Sequence, residues 1–454
     1  MRLAPGDSRM PAFRRALDRS PPDRPAGDIV VSNCNDAGSG SLRAALGNAV
    51  SGDTIDLTGL ACSTITLTTG SLIVGVDNLT LNGPGVFDLA IDGNYNDQVL
   101  THLGNGVLTI HDLAITRGAK YTSDGADARG GCIYSNGLVD LEDTAVTYCG
   151  VEAGANTGGP GNALCGAIYA LDVVLLNNSV IAHNAAIADT GYAAGGGVYT
   201  PAHANTHGIV VNGVATDYST ISGNVAVSAE NTSYGGAVFT RGVLSIYAST
   251  VSGNTADAVG GLDVTGQYAV ADSLILNSTI ANNTASRSYF GSGIYTGTAM
   301  MIANSTVTGN TEANGPDAPY GAGLIVGAGV TVELQSTIVS GNLLDTGSTT
   351  SPSDIGGGAG AMLTGANNLI GATSLDTPAD TIETTLPRLG PLTNHGGPTL
   401  TIAPLTGSPA INTGNNNAYD LKYDQRTVGY PRVVGANADI GAFETDTLFV
   451  NGFD

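Results

Sequence analysis

Tryptophan is absent from the 454-residue chain, lysine occurs only at Lys120 and Lys422, and charged residues together make up 12%. Acidic residues number 39 against 16 basic ones, giving a formal net charge of −23. That balance excludes nucleic acid as a partner, because phosphate backbones are held by basic surfaces. It disfavours peripheral attachment to anionic lipid for the same reason. No run approaches the roughly 18–20 apolar residues that a membrane-spanning helix needs. The five cysteines fit no zinc or Cys-x-x-Cys spacing. Residues 1–27, rich in Arg, Asp and Pro, contain no apolar segment of the kind found in secretory leaders. Segment 1–28 is expected to be disordered. Either the start is misassigned or a leader is missing, the remaining option being a cytoplasmic protein.

What the chain has instead is repetition. Ser219-Thr220-Ile221-Ser222-Gly223-Asn224 recurs as Ser249-Thr250-Val251-Ser252-Gly253-Asn254, as Ser278-Thr279-Ile280-Ala281-Asn282-Asn283 and as Ser305-Thr306-Val307-Thr308-Gly309-Asn310. A fifth copy, 336–342, reads as carrying one inserted residue, and a looser one ends at Asn184. The closing asparagines lie 40, 30, 29, 27 and 32 positions apart. A second phrase keeps step: Gly130-Gly131-Cys132-Ile133-Tyr134, Gly195-Gly196-Gly197-Val198-Tyr199 and Gly235-Gly236-Ala237-Val238-Phe239. Between the phrases run short alternations such as Leu244-Ser245-Ile246, whose apolar residues share one strand face. A repeat of this length without helical pattern is a β-solenoid. A sandwich with regular turns would not repeat one phrase in register. Glycine, and asparagine better than most residues, adopt the left-handed conformation that corners require. Stacked rungs would bring equivalent asparagines together as amide ladders.

The expected fold is therefore all-β: a right-handed parallel β-helix of about ten rungs with an N-terminal cap and a small C-terminal module. The expected divisions are 1–28, the helix with its capping module over 29–345, a module over 346–445 and a short tail over 446–454. Ser41-Leu42-Arg43-Ala44-Ala45-Leu46 reads as a short capping helix with Ser39 or Ser41 as N-cap. Such a cap shields the first rung, whose open strand edges would recruit other chains. Cys34 and Cys62 flank the first strands and form a candidate disulfide, which would contribute on the order of 3 kcal/mol. Cys132, Cys149 and Cys165 read as buried small apolar residues, with their pairing left open.

Gly40-Ser41-Leu42-Arg43-Ala44-Ala45-Leu46, Gly52-Asp53-Thr54-Ile55, Ile65-Thr66-Leu67, Gly83-Pro84-Gly85 and Ile91-Asp92-Gly93-Asn94 resemble the entry region of bacterial right-handed β-helix proteins of the CSLREA type. Gly40 stands where that motif has Cys, and Ala44 where it has Glu. The two repeating phrases resemble polymorphic outer-membrane repeats and other pectin-lyase-like surface helices. Further on, Asn368-Leu369-Ile370-Gly371, Leu389-Gly390-Pro391-Leu392, Gly407-Ser408-Pro409-Ala410-Ile411-Asn412, Asp424-Gln425-Arg426 and Asp439-Ile440-Gly441-Ala442-Phe443-Glu444 are similar to the choice-of-anchor Q domain. The resemblance implies a bacterial protein outside the cell or on its surface, with a structural or adhesive role and an extracellular glycan or cell surface as partner.

Many carbohydrate-cleaving enzymes share this fold, so a polysaccharide lyase or glycoside hydrolase is the alternative. Fold alone does not decide. A glycosidase needs two carboxylates at a set separation. A pectate-type lyase needs acidic residues around Ca²⁺ with an Arg or Lys base. The candidates are Asp92, His111, Asp112 and Arg117, with Asp97 and Lys120 beside them and Asp140, Glu142 and Asp143 on the next rung. The competing reading is a solvated polar face. Asp92-Gly93-Asn94-Tyr95-Asn96-Asp97 hints at a Ca²⁺ loop but lacks the closing Glu; no cofactor or metal is otherwise expected. Asp424, Arg426, Asp439 and Glu444 read as a structural Arg–carboxylate network inside the C-terminal module, with binding of an anchor or ligand as the other reading.

Overall fold

The computed structural model describes residues 26–154, 159–201, 213–266, 272–287, 290–313 and 321–445. Nearly all of segment 1–28 and the whole tail 446–454 lie outside them, so the disorder expected for the former stays an expectation. One repeat runs through Ile133–Ser135, Leu138–Glu142, Ala145–Thr147, Gly150–Ala153 and Ala163–Leu164. Ile168–Ala170 then lies against Ile133–Ser135, in parallel and in register. Among the described residues, repetition of the circuit builds five stacked sheets, with the strand numbers that follow. Sheet 1 has 12 strands, from Asp28–Val30 to Met362–Ala366. Sheet 2 also has 12, from Thr64–Thr66 to Ile382–Glu383. Sheet 3 has 10 strands, from Leu72–Val74 to Ile355–Gly357. Sheet 4 has 9, starting at Ala119–Thr122, and sheet 5 has 4, starting at Ala128–Arg129. Among the described strands only Leu343–Asp345 against Thr350–Pro352 pairs antiparallel. The chain is thus the expected all-β parallel solenoid. Its two longest ladders, of 12 strands, exceed the expected ten rungs, and strands beyond residue 345 supply part of the excess in each.

The alternation read from the sequence explains the core. Ile55, Leu81, Ile110, Leu141 and Leu176 follow one another along the interior face of sheet 1, and each is essentially unexposed. Each such side chain contributes about 1.5–3 kcal/mol on burial. The helix Leu42–Asn48 closes the first rung, with the Ser41 side chain accepting from Ala44 N. Leu42, Ala45 and Leu46 are buried against Ile55 and Leu72. Asp36 fastens this cap. One carboxylate oxygen meets Arg43 Nη2 at 2.6 Å, and the other accepts from Thr68 N at 2.9 Å and Thr69 N at 2.8 Å. Burial opposes ionisation of Asp36, yet Arg43 and these donors hold its carboxyl well below the usual range.

Corners follow the glycine and asparagine phrases. The turn from sheet 1 to sheet 2 is left-handed at Asp112, Asp143, Asn178, Tyr218, Ala248, Asn277, Asn304 and Ser336. The next turn is left-handed at Arg117, Tyr148, His183, Gly223, Gly253, Asn282, Gly309 and Gly341. Ser336 corrects the reading of an insertion. Ile338 and Val339 pair with Thr306 and Val307, so Thr337 stands in the serine position and Ser336 is the corner residue.

Two polar columns run beside the corners. Asn184, Asn224, Asn254, Asn283 and Asn310 each donate Nδ2 to the next asparagine Oδ1, at 2.8, 3.0, 2.9, 2.9 and 2.8 Å. Asn342 ends the column on Asp354 Oδ1 at 2.8 Å. Each acceptor oxygen also takes the backbone N–H of the preceding asparagine, as Asn254 Oδ1 does from Asn224 N at 2.9 Å. Ser219, Ser249, Ser278 and Ser305 form the second column. Each hydroxyl donates to the carbonyl two residues back and accepts the N–H one rung earlier.

The cysteines differ from the sequence reading. Cys132 and Cys149 belong to one coil and are bonded, with Cα atoms 5.4 Å apart, so they are not buried thiols. Cys34 and Cys62 are bonded as well, at 6.4 Å between Cα atoms, and Cys165 is free and buried.

The ladders continue past residue 345. Ile355–Gly357, Met362–Ala366 and Leu369–Ile370 extend sheets 3, 1 and 2, and Ile382–Glu383 adds a last strand to sheet 2. The chain then doubles back across the outer face of sheet 2. Gln425 accepts from Thr279 Oγ1 at 2.6 Å and donates to Thr250 Oγ1 at 2.9 Å. Asn304 Nδ2 donates to Ala418 O at 3.0 Å, and Ala442 N to Thr306 Oγ1 at 3.0 Å. Thr250, Thr279 and Thr306 are buried under this segment, whereas Thr220 on the same row stays partly exposed.

One interior position breaks the apolar pattern. Glu312 stands in a sheet 4 row between Ala285 and Leu344. It is 0% exposed and neither carboxyl oxygen has a hydrogen-bond partner among the described residues. Burial pushes its carboxyl up to about 7 from an ordinary value of 4.5.

Two outcomes are expected. Asn254→Ala orphans the amides above and below it in the column. A loss of at least about 1–3 kcal/mol is expected in urea unfolding, and an unchanged midpoint would mean the column contributes nothing. The second concerns pH. The folded chain keeps the Glu312 proton to about pH 7, while the unfolded chain releases it near pH 4.5. Wild-type stability therefore falls as pH rises between those values and levels off above them. The advantage of Glu312→Gln over wild type should be larger at about pH 8 than at about pH 4, by roughly 3 kcal/mol. A difference independent of pH would contradict this.

Candidate functional site

The four candidate residues are sorted by the corners into separate partnerships. Asp92 closes the sheet 2 strand Ala90–Asp92 and is 1% exposed. Arg117, one rung on at a left-handed corner, donates Nε to Asp92 Oδ1 at 2.9 Å, and its Nη2 meets the other carboxylate oxygen. Asn94 N also donates to Asp92 Oδ1, at 2.8 Å. This carboxylate clamps two adjacent corners. Asp112 is itself a corner residue with φ 52°. Lys120 Nζ lies 3.3 Å from Asp97 Oδ1. The stretch 92–97 forms a turn with Asn94 and Tyr95 left-handed. Among the described residues, no three His, Cys, Asp or Glu side chains are grouped to hold a metal ion.

His111 goes elsewhere, to sheet 1. Its Nδ1 lies 3.1 Å from Glu142 Oε2 on the next rung. The register places Asn82, His111, Glu142, Asn177 and Asp217 side by side on successive strands, and all five are partly exposed. Neighbouring strands lie about 4.8 Å apart, so this is an evenly spaced polar strip along the rod. Glu142 links it in both directions, reaching His111 on one side and Asn177 Nδ2 at 3.5 Å on the other. Tyr247 follows Asp217, packed edge-on to Tyr218 with centroids 5.5 Å apart. Burial pushes the Tyr218 hydroxyl well above its ordinary range. Asp140 stands two residues before Glu142 on the same strand face, about 6.6 Å along the chain. The strip offers donors and acceptors to a hydroxyl-rich polymer over five rungs.

A residue that sequence reasoning missed is Asp263. The outer row of sheet 3 carries Tyr134, Tyr169, Tyr199 and Phe239, stacked near-parallel with centroids 5.5, 5.3 and 5.1 Å apart. Asp263 comes next in that row, followed by Tyr295. It is 2% exposed, and Oδ1 has no hydrogen-bond partner among the described residues. Burial lifts its carboxyl to about 7, against the pull of Arg241. Aligning Gly260-Gly261-Leu262-Asp263-Val264 with the glycine phrase would have shown an acid where other copies have Tyr or Phe.

The C-terminal charges are tied to one another. Arg426 binds Asp424 through Nε at 2.9 Å and Nη2 at 2.6 Å, and its guanidinium lies 4.1 Å from the Tyr430 ring centroid and 3.7 Å from that of Phe443. Arg432 is 2% exposed and donates to Gly441 O at 2.9 Å. Glu444 accepts from Val434 N and Asp439 N, both at 2.8 Å, and burial pushes its carboxyl up to about 7. A groove of about 600 Å³ lies where 386–392 crosses Asn282, Thr308 and Gly309; Arg388 is the charged residue in its wall.

No family model matches the chain, and no curated protein sequence matches it. Among solved structures it is similar to the pectate lyase Pel9A, with 15% identity, a TM-score of 0.43, and coverage of 93% of this chain and 97% of that one. It is also similar to a mannuronic acid specific polysaccharide family 6 lyase from human gut microbiota, with 13% identity, a TM-score of 0.29, and coverage of 79% and 83%.

Proposed function

We propose that this protein is a secreted or cell-surface β-helix that binds an extended polysaccharide along sheet 1 without cleaving it. The observation that carries this reading is the strip Asn82, His111, Glu142, Asn177 and Asp217, one partly exposed hydrogen-bonding side chain per rung. A linear polymer lying along the rod meets the same spacing at every step. Sheet 1 is assigned this role rather than sheet 2, because Thr250, Thr279 and Thr306 on sheet 2 lie beneath the C-terminal segment. The Asp92–Arg117 pair is engaged in holding corners, which supports a structural role for both residues. Location outside the cell is supported by two disulfides, which persist in oxidising compartments. The likeness of the entry region to CSLREA-type proteins, and of the C-terminal stretch to the choice-of-anchor Q domain, points the same way.

A second reading, a glycoside hydrolase or lyase, is favoured by one observation: His111 bonds Glu142 at 3.1 Å with Asp140 on the same face.

Wild-type protein is expected to be retarded in native gels containing at least one soluble polysaccharide, and Glu142→Gln and Asn177→Ala to weaken retention several-fold. Incubation with uronate polymers and Ca²⁺ is expected to give neither ultraviolet absorbance from unsaturated product nor new reducing ends. Turnover abolished by Glu142→Gln or Arg117→Ala would establish an enzyme and overturn the binding reading.

A further inference from the structure

The corner between sheets 2 and 4 divides its residues by conformational cost. All eight positions of this column are left-handed. Four are Gly223, Gly253, Gly309 and Gly341, which adopt that conformation freely, and Asn282 tolerates it well. Arg117, Tyr148 and His183 occupy the remaining three, on consecutive rungs. An arginine or tyrosine there strains the backbone, a histidine less so, and such strain persists where the surroundings hold it for a purpose. For Arg117 the purpose is the ion pair with Asp92. Core packing explains neither of the others: Tyr148 is 53% exposed and His183 is exposed as well.

Tyr148 and His183 stack on each other instead, with centroids 5.3 Å apart and planes 17° from parallel. His183 leans forward over the next corner, where a Cβ on Gly223 would stand 2.8 Å from Nδ1. Arg117 leans the opposite way, back to Asp92. The two exposed rings thus form a stacked pair at the surface, next in sequence to Thr147, whose hydroxyl donates to Thr116 Oγ1 at 3.3 Å. The exposed aliphatic residues Ile187 and Val227 lie close by on sheet 4.

We infer that Tyr148 and His183 form a sugar-stacking subsite for an uncharged polysaccharide, a contact separate from the sheet 1 strip. This rests on the polysaccharide-binding reading and names the ligand class. An aromatic face packs against the C–H face of a pyranose ring, and neighbouring hydroxyls take up the ring's polar edge. A formal charge of −23 repels polyanions and leaves neutral glycans as the matching partner.

The test compares wild type, Tyr148→Gly, His183→Gly and Glu142→Gln by gel retardation on hydroxyethyl cellulose, xyloglucan, dextran and polygalacturonate, with melting temperatures alongside. Glycine is what other rungs carry at this corner, so both glycine variants should melt at or above the wild-type temperature while losing about ten-fold or more in affinity for a neutral polymer. Wild type retarded by none of the polymers would overturn both readings. Retention weakened by Glu142→Gln but unchanged in both glycine variants would overturn this inference alone. Tight binding confined to polygalacturonate would overturn the assigned class. Glycine variants that melt earlier yet bind normally would show that the stack only supports the corner.

Discussion

A column of buried amides fixes where the strands from Asn184 to Asn342 stand. Strand pairing alone leaves a parallel stack free to slip, and slipping by one residue turns each apolar side chain from the core to the solvent. The asparagines between Asn184 and Asn342 remove that freedom, because each binds the next through its side-chain amide and also caps the previous backbone N–H. The serine column repeats the constraint one corner earlier. These groups are buried, so a slipped register would leave them unpaired at a cost of about 1–3 kcal/mol each. A chain with few charges and many small residues gains its uniqueness from polar groups inside rather than from ion pairs outside.

The same logic explains what the sequence made legible. Asparagine and serine recur because their function is tied to the repeat, so rung and corner could be read from spacing, and the capping helix from its own N-cap at Ser41. Interactions that cross the repeat left no periodic trace. Cys132 and Cys149 look like members of neighbouring coils in the linear sequence, yet a turn brings them together within one coil. Gln425 sits among residues 175 positions earlier, and no local pattern predicts that distance. The supposed insertion at 336–342 arose because Ser336-Thr337 mimics the opening of the phrase. Only strand pairing shows that the serine has moved into the corner.

The candidate site was half legible for a related reason. Asp92, His111, Asp112 and Arg117 were expected to approach one another across two rungs, and among them Asp92 and Arg117 pair. A coil separates sequence neighbours within a few residues by turning a corner, and it joins residues about thirty apart. His111 therefore meets Glu142, and Asp92 meets Arg117. Asp263 was missed because the glycine phrase was not followed through Gly260-Gly261, where an acid takes a place between Phe239 and Tyr295 of the neighbouring rungs.

The doubling-back of the C-terminal segment changes how the rod carries load. In a simple solenoid, tension on the last residue peels the final rung and then each one before it. Here Gly441 and Ala442 are bonded to Ser336 and Thr306, and Gln425 reaches Thr250 and Thr279. A pull at residue 445 enters the shaft through those rungs as well as through the terminal coil, where Ile440 and Ala410 pack with Leu369 and Ile382. The bonds that meet the force are spread over several rungs and are strained together in shear, not one by one. The terminal coil is held to the rungs before it by the same segment, so it does not meet such a load alone.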